Sequence, residues 1–160
     1  MSSARSNVDD LFLKLLERLQ AEGVKYVLVG GQAVRINGFL RATEDVDLLL
    51  EATEENGARV IKALNFLASS SELDPQWFAP HPGGEIENIR VADDLIIDLL
   101  FAANGHSITD LANQTITTTI NDVPVSVLNI DGLLKTKTDY REKDILDKIV
   151  LRKLQDAASK

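Results

Sequence analysis

Apolar residues fall at Val8, Leu11, Phe12, Leu15, Leu16 and Leu19, the spacing of one helix face, so an amphipathic helix is predicted within residues 1–22. Gly23 is placed to end it. The β-rich run Val24-Lys25-Tyr26-Val27-Leu28-Val29 predicts a short buried strand. Gly30-Gly31 breaks that run, Gln32 to Phe39 reads as a short helix, and Asp45 to Glu51 reads as a second strand. Val60, Ile61, Leu64 and Leu67 keep helical spacing within residues 53–68, with Thr53 as a candidate N-cap. Residues 69–84 are rich in Ser, Pro and Gly and read as a long loop carrying Trp77, Phe78 and His81.

Glu85 to Val91 and Leu95 to Phe101 predict two strands joined at Ala92-Asp93-Asp94. Thr115 to Ile120 and Val123 to Leu128 predict a hairpin around Asn121-Asp122. Asn129 or Asp131 is positioned to cap a helix running to about Lys137. The last helix, near Arg141 to Leu154, is predicted to turn Ile145, Leu146, Ile149, Val150 and Leu154 inward. Helices and strands interleave, but the hairpins argue against an all-parallel sheet. The expected fold is therefore α+β (mixed α/β), a mixed β-sheet flanked by helices. Residues 1–160 read as one domain: an N-terminal helix (1–22), a sheet core (24–128) and C-terminal helices (129–158).

Composition narrows the classes. A chain of 160 residues with 44% apolar content buries about two thirds of its unfolded surface on folding. Without Cys there are no disulfides, thiolate metal sites or Cys nucleophiles. No apolar run approaches the roughly 20 residues that span a bilayer, and MSSARSNVDD lacks the apolar core of a signal peptide. A soluble cytoplasmic protein with no membrane partner is expected. The net charge of −8 disfavours extensive DNA binding, which depends on neutralising many phosphates. That charge is uneven: residues 135–160 hold eight basic and five acidic residues, whereas the first 134 hold nine and twenty. An acidic body with a basic C-terminal segment can set cations opposite a carboxylate site.

In the strand Asp45-Val46-Asp47 the alternation of side chains puts both carboxylates on one face. They repel unless a proton or cation intervenes, and a hard divalent cation such as Mg²⁺ suits them. With fifteen Asp in the chain such a pair also arises by chance, as two Asp at a strand end. Gly30-Gly31 is either a tight turn or a bare backbone that lets phosphates approach N–H groups. Its spacing to Gly38 does not fit the dinucleotide fingerprint. Asp98, inside Ile96-Ile97-Asp98-Leu99-Leu100, is costly to bury alone. It calls for a metal shared with Asp45 and Asp47, a backbone donor or an Arg. His81 and His106 are the only His residues, and neither a Ser-His-Asp arrangement nor a His-based zinc motif is evident. Trp77 and Phe78 fit loop anchoring better than base stacking.

Taken in order, Val29-Gly30-Gly31-Gln32-Ala33, Arg41-Ala42-Thr43-Glu44-Asp45-Val46-Asp47-Leu48-Leu49, Ile97-Asp98-Leu99, and Lys137 with Arg141-Glu142-Lys143-Asp144 and Asp147 span most of the chain. This pattern resembles the minimal nucleotidyltransferases of the DNA polymerase β superfamily, in particular the abortive-infection toxin-like bacterial group. The resemblance implies two Mg²⁺ (or Mn²⁺) ions held by Asp45, Asp47 and Asp98. It implies phosphate binding by Gly30, Gly31, Lys137 and Arg141, with Lys135 as the alternative to Lys137 because the interval to Arg141 is one residue short. Arg41 and Thr43 would brace the Asp strand, and Asp144 would orient a neighbouring cation. The implied reaction is transfer of NMP from an NTP to a hydroxyl of an acceptor: RNA, protein or a small molecule. The alternative is a weakly active or inactive protein with this fold that acts as a toxin–antitoxin component or protein-binding partner.

Overall fold

The computed structural model describes residues 4–36, 45–82, 86–137 and 142–158. Helix α1 (Ala4–Ala21) buries Phe12, Leu15, Leu16 and Leu19, the stripe that its spacing predicts. It ends at Gly23, whose φ of +65° sits in the left-handed region, and the Val24 N–H reaches back to the Leu19 carbonyl at 3.1 Å. Strand β1 (Tyr26–Val29) follows, then α2 (Gly30–Ile36), β2 (Asp45–Leu50) and α3 (Glu54–Ala63). Strands β3 (Ile89–Ala92), β4 (Ile96–Leu100), β5 (Thr115–Ile120) and β6 (Val123–Leu128) complete the sheet, and α4 (Ile130–Thr136) and α5 (Glu142–Ala158) close the chain.

The six strands lie in the order β3-β4-β2-β1-β6-β5. β2–β4 and β1–β6 are parallel, whereas β1–β2, β3–β4 and β5–β6 are antiparallel, so the sheet is mixed. All four β1 residues are buried, which is why that strand is a continuous apolar run instead of alternating. Helix α1 packs on β6 and α3, while α2 packs on β1, β2 and α4, and α4 packs on α5. Among the described residues no helix is long and apolar enough to cross a membrane.

Three expectations are corrected. Helix α3 stops at Ala63, and two 3₁₀ turns, Ala68–Glu72 and Pro75–Phe78, occupy half of the stretch read as a loop. Phe78 there is a core residue, fully buried, lying over Gly57 of α3 and edge-on to Phe101 with ring centroids 5.8 Å apart. Strand β3 begins at Ile89, several residues later than the pattern suggests. In α5 the buried stripe is Asp144, Asp147 and Leu151, while Ile145, Leu146 and Ile149 are exposed. The reason lies in what α5 packs against: the buried Lys137 beyond α4, which selects carboxylates and not alkyl groups.

Candidate active site

Strand register assembles the acidic cluster. Asp47 of β2 pairs with Val29 of β1 on one side and with Asp98 of β4 on the other. Asp98 in turn pairs with Arg90 of β3. In-register neighbours project to the same face of a sheet, so Arg90, Asp98 and Asp47 form one row across three strands. Asp45, two residues before Asp47, shares that face. The opposite side chains of β2, Val46, Leu48 and Leu50, are buried in the core. Apolar alternation on one face therefore anchors the register that aligns the carboxylates on the other.

Gly30 bounds this row. Its φ is +68°, and a β-carbon there would lie 2.9 Å from the Asp47 Cγ. Only glycine allows both the turn into α2 and this close approach. Gly31 follows as the second residue of α2.

Crowding leaves Asp47 hard to ionise. Burial is the main cause, followed by the Asp98 charge, a hydrogen bond with Asp98 and the Asp45 charge; together they push its pKa to about 6 against the opposing pull of Lys137. A hydrogen bond between two carboxyl groups requires a proton between them, and a cation can take the same place. Arg90 supplies part of the missing positive charge. Its Nη1 lies 3.3 Å from Asp98 Oδ1 and its Nη2 lies 3.4 Å from Asp45 Oδ2.

The two Lys candidates differ sharply in setting. Lys135 is exposed, whereas Lys137 is buried with its Nζ 3.0 Å from Asp147 Oδ2 and 4.0 Å from Asp144 Oδ1. Asn104, at φ +49°, donates its side-chain amide to the Lys135 and Lys137 carbonyls at 3.1 and 3.0 Å, fixing the end of α4. Lys137 is thus committed to a buried ion cluster, from which its charge still reaches Asp47. Asp144 faces this Lys, in keeping with the orienting role that the resemblance implies. Arg41, Thr43 and Arg141 lie outside the described residues.

The donor set fits a hard divalent cation: carboxylate oxygens on one face, one of them, Asp47, made hard to ionise by burial and by its charged neighbours. Among the described residues, no three His, Cys, Asp or Glu side chains are already gathered as ligands of one ion; Asp45 and Asp98 meet Arg90 instead. Arg90 and Asn104 escaped the sequence reading. Arg90 had a signal, because a hairpin centred on Asp94 places residue 90 opposite residue 98. Asn104 stands in an irregular segment with no periodicity to read.

No protein-family model matches the chain, and no curated protein does. Among solved structures, the chain is similar to a candidate nucleotidyltransferase (TM1012) from Thermotoga maritima. The TM-score is 0.53 and the identity 12%, with 97% of this chain and 91% of that one covered. At that identity the likeness is one of fold: a mixed sheet flanked by helices in the nucleotidyltransferase arrangement.

Proposed function

We propose that this protein is a Mg²⁺- or Mn²⁺-dependent nucleotidyltransferase that moves NMP from an NTP to an acceptor hydroxyl, with pyrophosphate as the leaving group. The observation that carries the reading is the register that sets Asp47 opposite Asp98, with Asp45 on the same face and Gly30 against Asp47. On a nucleotidyltransferase fold, that is a carboxylate trio beside a glycine turn.

Asp45, Asp47 and Asp98 would hold the metal ions, which supply Lewis-acid charge to activate the acceptor hydroxyl and stabilise the attacking and leaving oxygens. The chain's own residues supply placement. The Gly30-Gly31 turn would offer backbone N–H groups to phosphate oxygens. Lys137 supports the carboxylates from inside the fold, its own position held by Asp144 and Asp147. Arg141 would meet the triphosphate, with Arg41 and Thr43 bracing the strand that carries Asp45 and Asp47. Lys135, exposed on α4, is the second phosphate candidate. The resemblance to the abortive-infection toxin-like group suggests a cytoplasmic setting and an acceptor that is RNA, protein or a small molecule.

The alternative, a weakly active toxin–antitoxin component, is favoured by one observation: the Arg90 contacts to Asp45 and Asp98. Incubation with α-labelled NTPs, Mg²⁺ and cell extract separates the two. The proposed function requires label in RNA, protein or a small molecule, and its loss in Asp47→Asn. Intact protein that transfers no label, and that shows no NTP-dependent thermal stabilisation with metal, sinks it.

A further inference from the structure

The basic residue closest to the carboxylate row on the sheet itself is Arg90, and its setting is unlike that of Lys137. Lys137 is buried within an ion cluster; the Arg90 side chain is 56% exposed and stands on β3, an edge strand of the sheet. Register places its Cα opposite Asp98. The guanidinium spans two strands, with Nη1 within 3.3 and 3.4 Å of the two Asp98 oxygens and Nη2 at 3.4 Å from Asp45 Oδ2. It therefore touches two of the three carboxylates that the proposed function assigns to metal. A divalent ion drawn to the same oxygens meets the positive charge of the guanidinium at close range, so the two cations oppose each other there.

We propose that Arg90 is a resident counter-ion of the carboxylate cluster and that divalent cations bind in competition with it. This rests on the proposed metal-dependent function. Without metal, the guanidinium holds Asp45 and Asp98 together against their mutual repulsion. Entry of a cation requires the Asp45 and Asp98 contacts of Arg90 to open, and the exposed side chain on an edge strand has solvent on its outer side to move into. Exposed ion pairs are individually weak, each worth up to about fivefold in an equilibrium. Two such contacts set a threshold that a divalent ion at millimolar concentration can overcome. The released guanidinium then lies at the rim of the site, where the anionic groups that accompany a metal–nucleotide complex can take the place of the lost carboxylates.

The test is Mn²⁺ affinity by calorimetry on the full chain, with metal-free melting temperature as the second readout, in wild type, Arg90→Gln and Arg90→Lys. Arg90→Gln is expected to bind Mn²⁺ about tenfold more tightly than wild type and to melt lower in chelator. Arg90→Lys keeps the charge but loses the fork that spans both carboxylates, so its Mn²⁺ affinity is expected to fall between those of wild type and Arg90→Gln. A purely structural role for Arg90 would lower the melting temperature without tightening Mn²⁺ binding. Equal or weaker Mn²⁺ binding in folded Arg90→Gln, with wild type binding the ion, overturns the competition alone. Absence of Mn²⁺ binding in both proteins overturns the metal-dependent function and the competition with it.

Discussion

Gly30 and Asp47 approach so closely that a β-carbon on Gly30 would stand 2.9 Å from the Asp47 Cγ, on a backbone already at φ +68°. Gly30→Ala therefore meets two penalties: a left-handed conformation, about 1–2 kcal/mol, and a clash that is relieved only if the Asp47 carboxylate swings away. The expected result is a folded protein with a lower melting temperature and a Mn²⁺ affinity reduced at least tenfold. Calorimetry and thermal melting of the one variant read both effects. Undisturbed Mn²⁺ binding in Gly30→Ala would show that the approach of Gly30 to Asp47 does not matter to the site.

The crowding of Asp47 predicts an unusual pH dependence. Its folded-state pKa, near 6, stands above the ordinary 3.8, so the folded chain holds the proton more tightly than the unfolded one. The stability associated with the protonated form is fully present below about pH 4 and is lost as pH rises through 6. Asp93 and Asp110 are shifted the other way by backbone N–H donors at Ser69 and Ser107, and act only at lower pH. In chelator, wild type should therefore melt higher at about pH 5 than at about pH 7.5. Asp47→Asn should flatten that difference and raise the melting temperature at pH 7.5, on the order of 2–4 °C for each kcal/mol recovered. A wild-type stability that climbs steadily from pH 5 to 7.5 would contradict the crowding.

Much of this fold was legible in the sequence because its elements announce themselves by period. The α1 stripe, the Thr53 and Asn129 caps and the Asn121-Asp122 hairpin each follow from local chemistry, and each is found where expected. The trio Asp45, Asp47 and Asp98 could be picked out, but not the register that sets Asp47 opposite Asp98, since that depends on a strand crossover 45 residues long, from Leu50 to Ile96. Where tertiary partners override pattern, reading fails. Helix α5 shows this directly: its alkyl side chains Ile145, Leu146 and Ile149 face out because Lys137, which lies outside the helix and its period, draws Asp144 and Asp147 in.

That substitution of carboxylates for alkyl groups gives a sharp expectation for Lys137. Its side chain is 8% exposed, and removal leaves the Asp144 and Asp147 carboxylates buried without the ammonium they face. Lys137→Met should destabilise the protein by about 3–5 kcal/mol, the usual result of taking one partner from a buried ion cluster. Combining it with Asp144→Asn and Asp147→Asn should restore much of the loss, because the carboxylate charges that faced Lys137 are then gone. Denaturant melts of the single and triple variants decide the matter; a Lys137→Met protein as stable as wild type would show that the cluster is not held by charge.

Gly57 offers a test in which the sign of the effect is the result. In an open helix interior Gly→Ala stabilises by about 1 kcal/mol, since Ala has the better helix propensity. In α3, however, a β-carbon at Gly57 would lie 2.6 Å from Cγ and 2.8 Å from Cδ1 of Phe78, whose ring is fully buried. Neither ring nor helix can yield easily: Phe78 is also packed edge-on to Phe101, and α3 is fixed at its start by the Thr53 cap and by Asn56, whose amide bonds the Lys25 and Glu51 backbones. Overpacking should win, so Gly57→Ala should destabilise by about 1–3 kcal/mol. Phe78→Ala costs about 3–5 kcal/mol by emptying the core, yet it removes the ring that Gly57→Ala strikes. The double variant should therefore be more stable than the sum of the two single losses by at least about 1 kcal/mol. Strict additivity, or a Gly57→Ala protein more stable than wild type, would mean that the Phe78 ring does not pack on α3 as described.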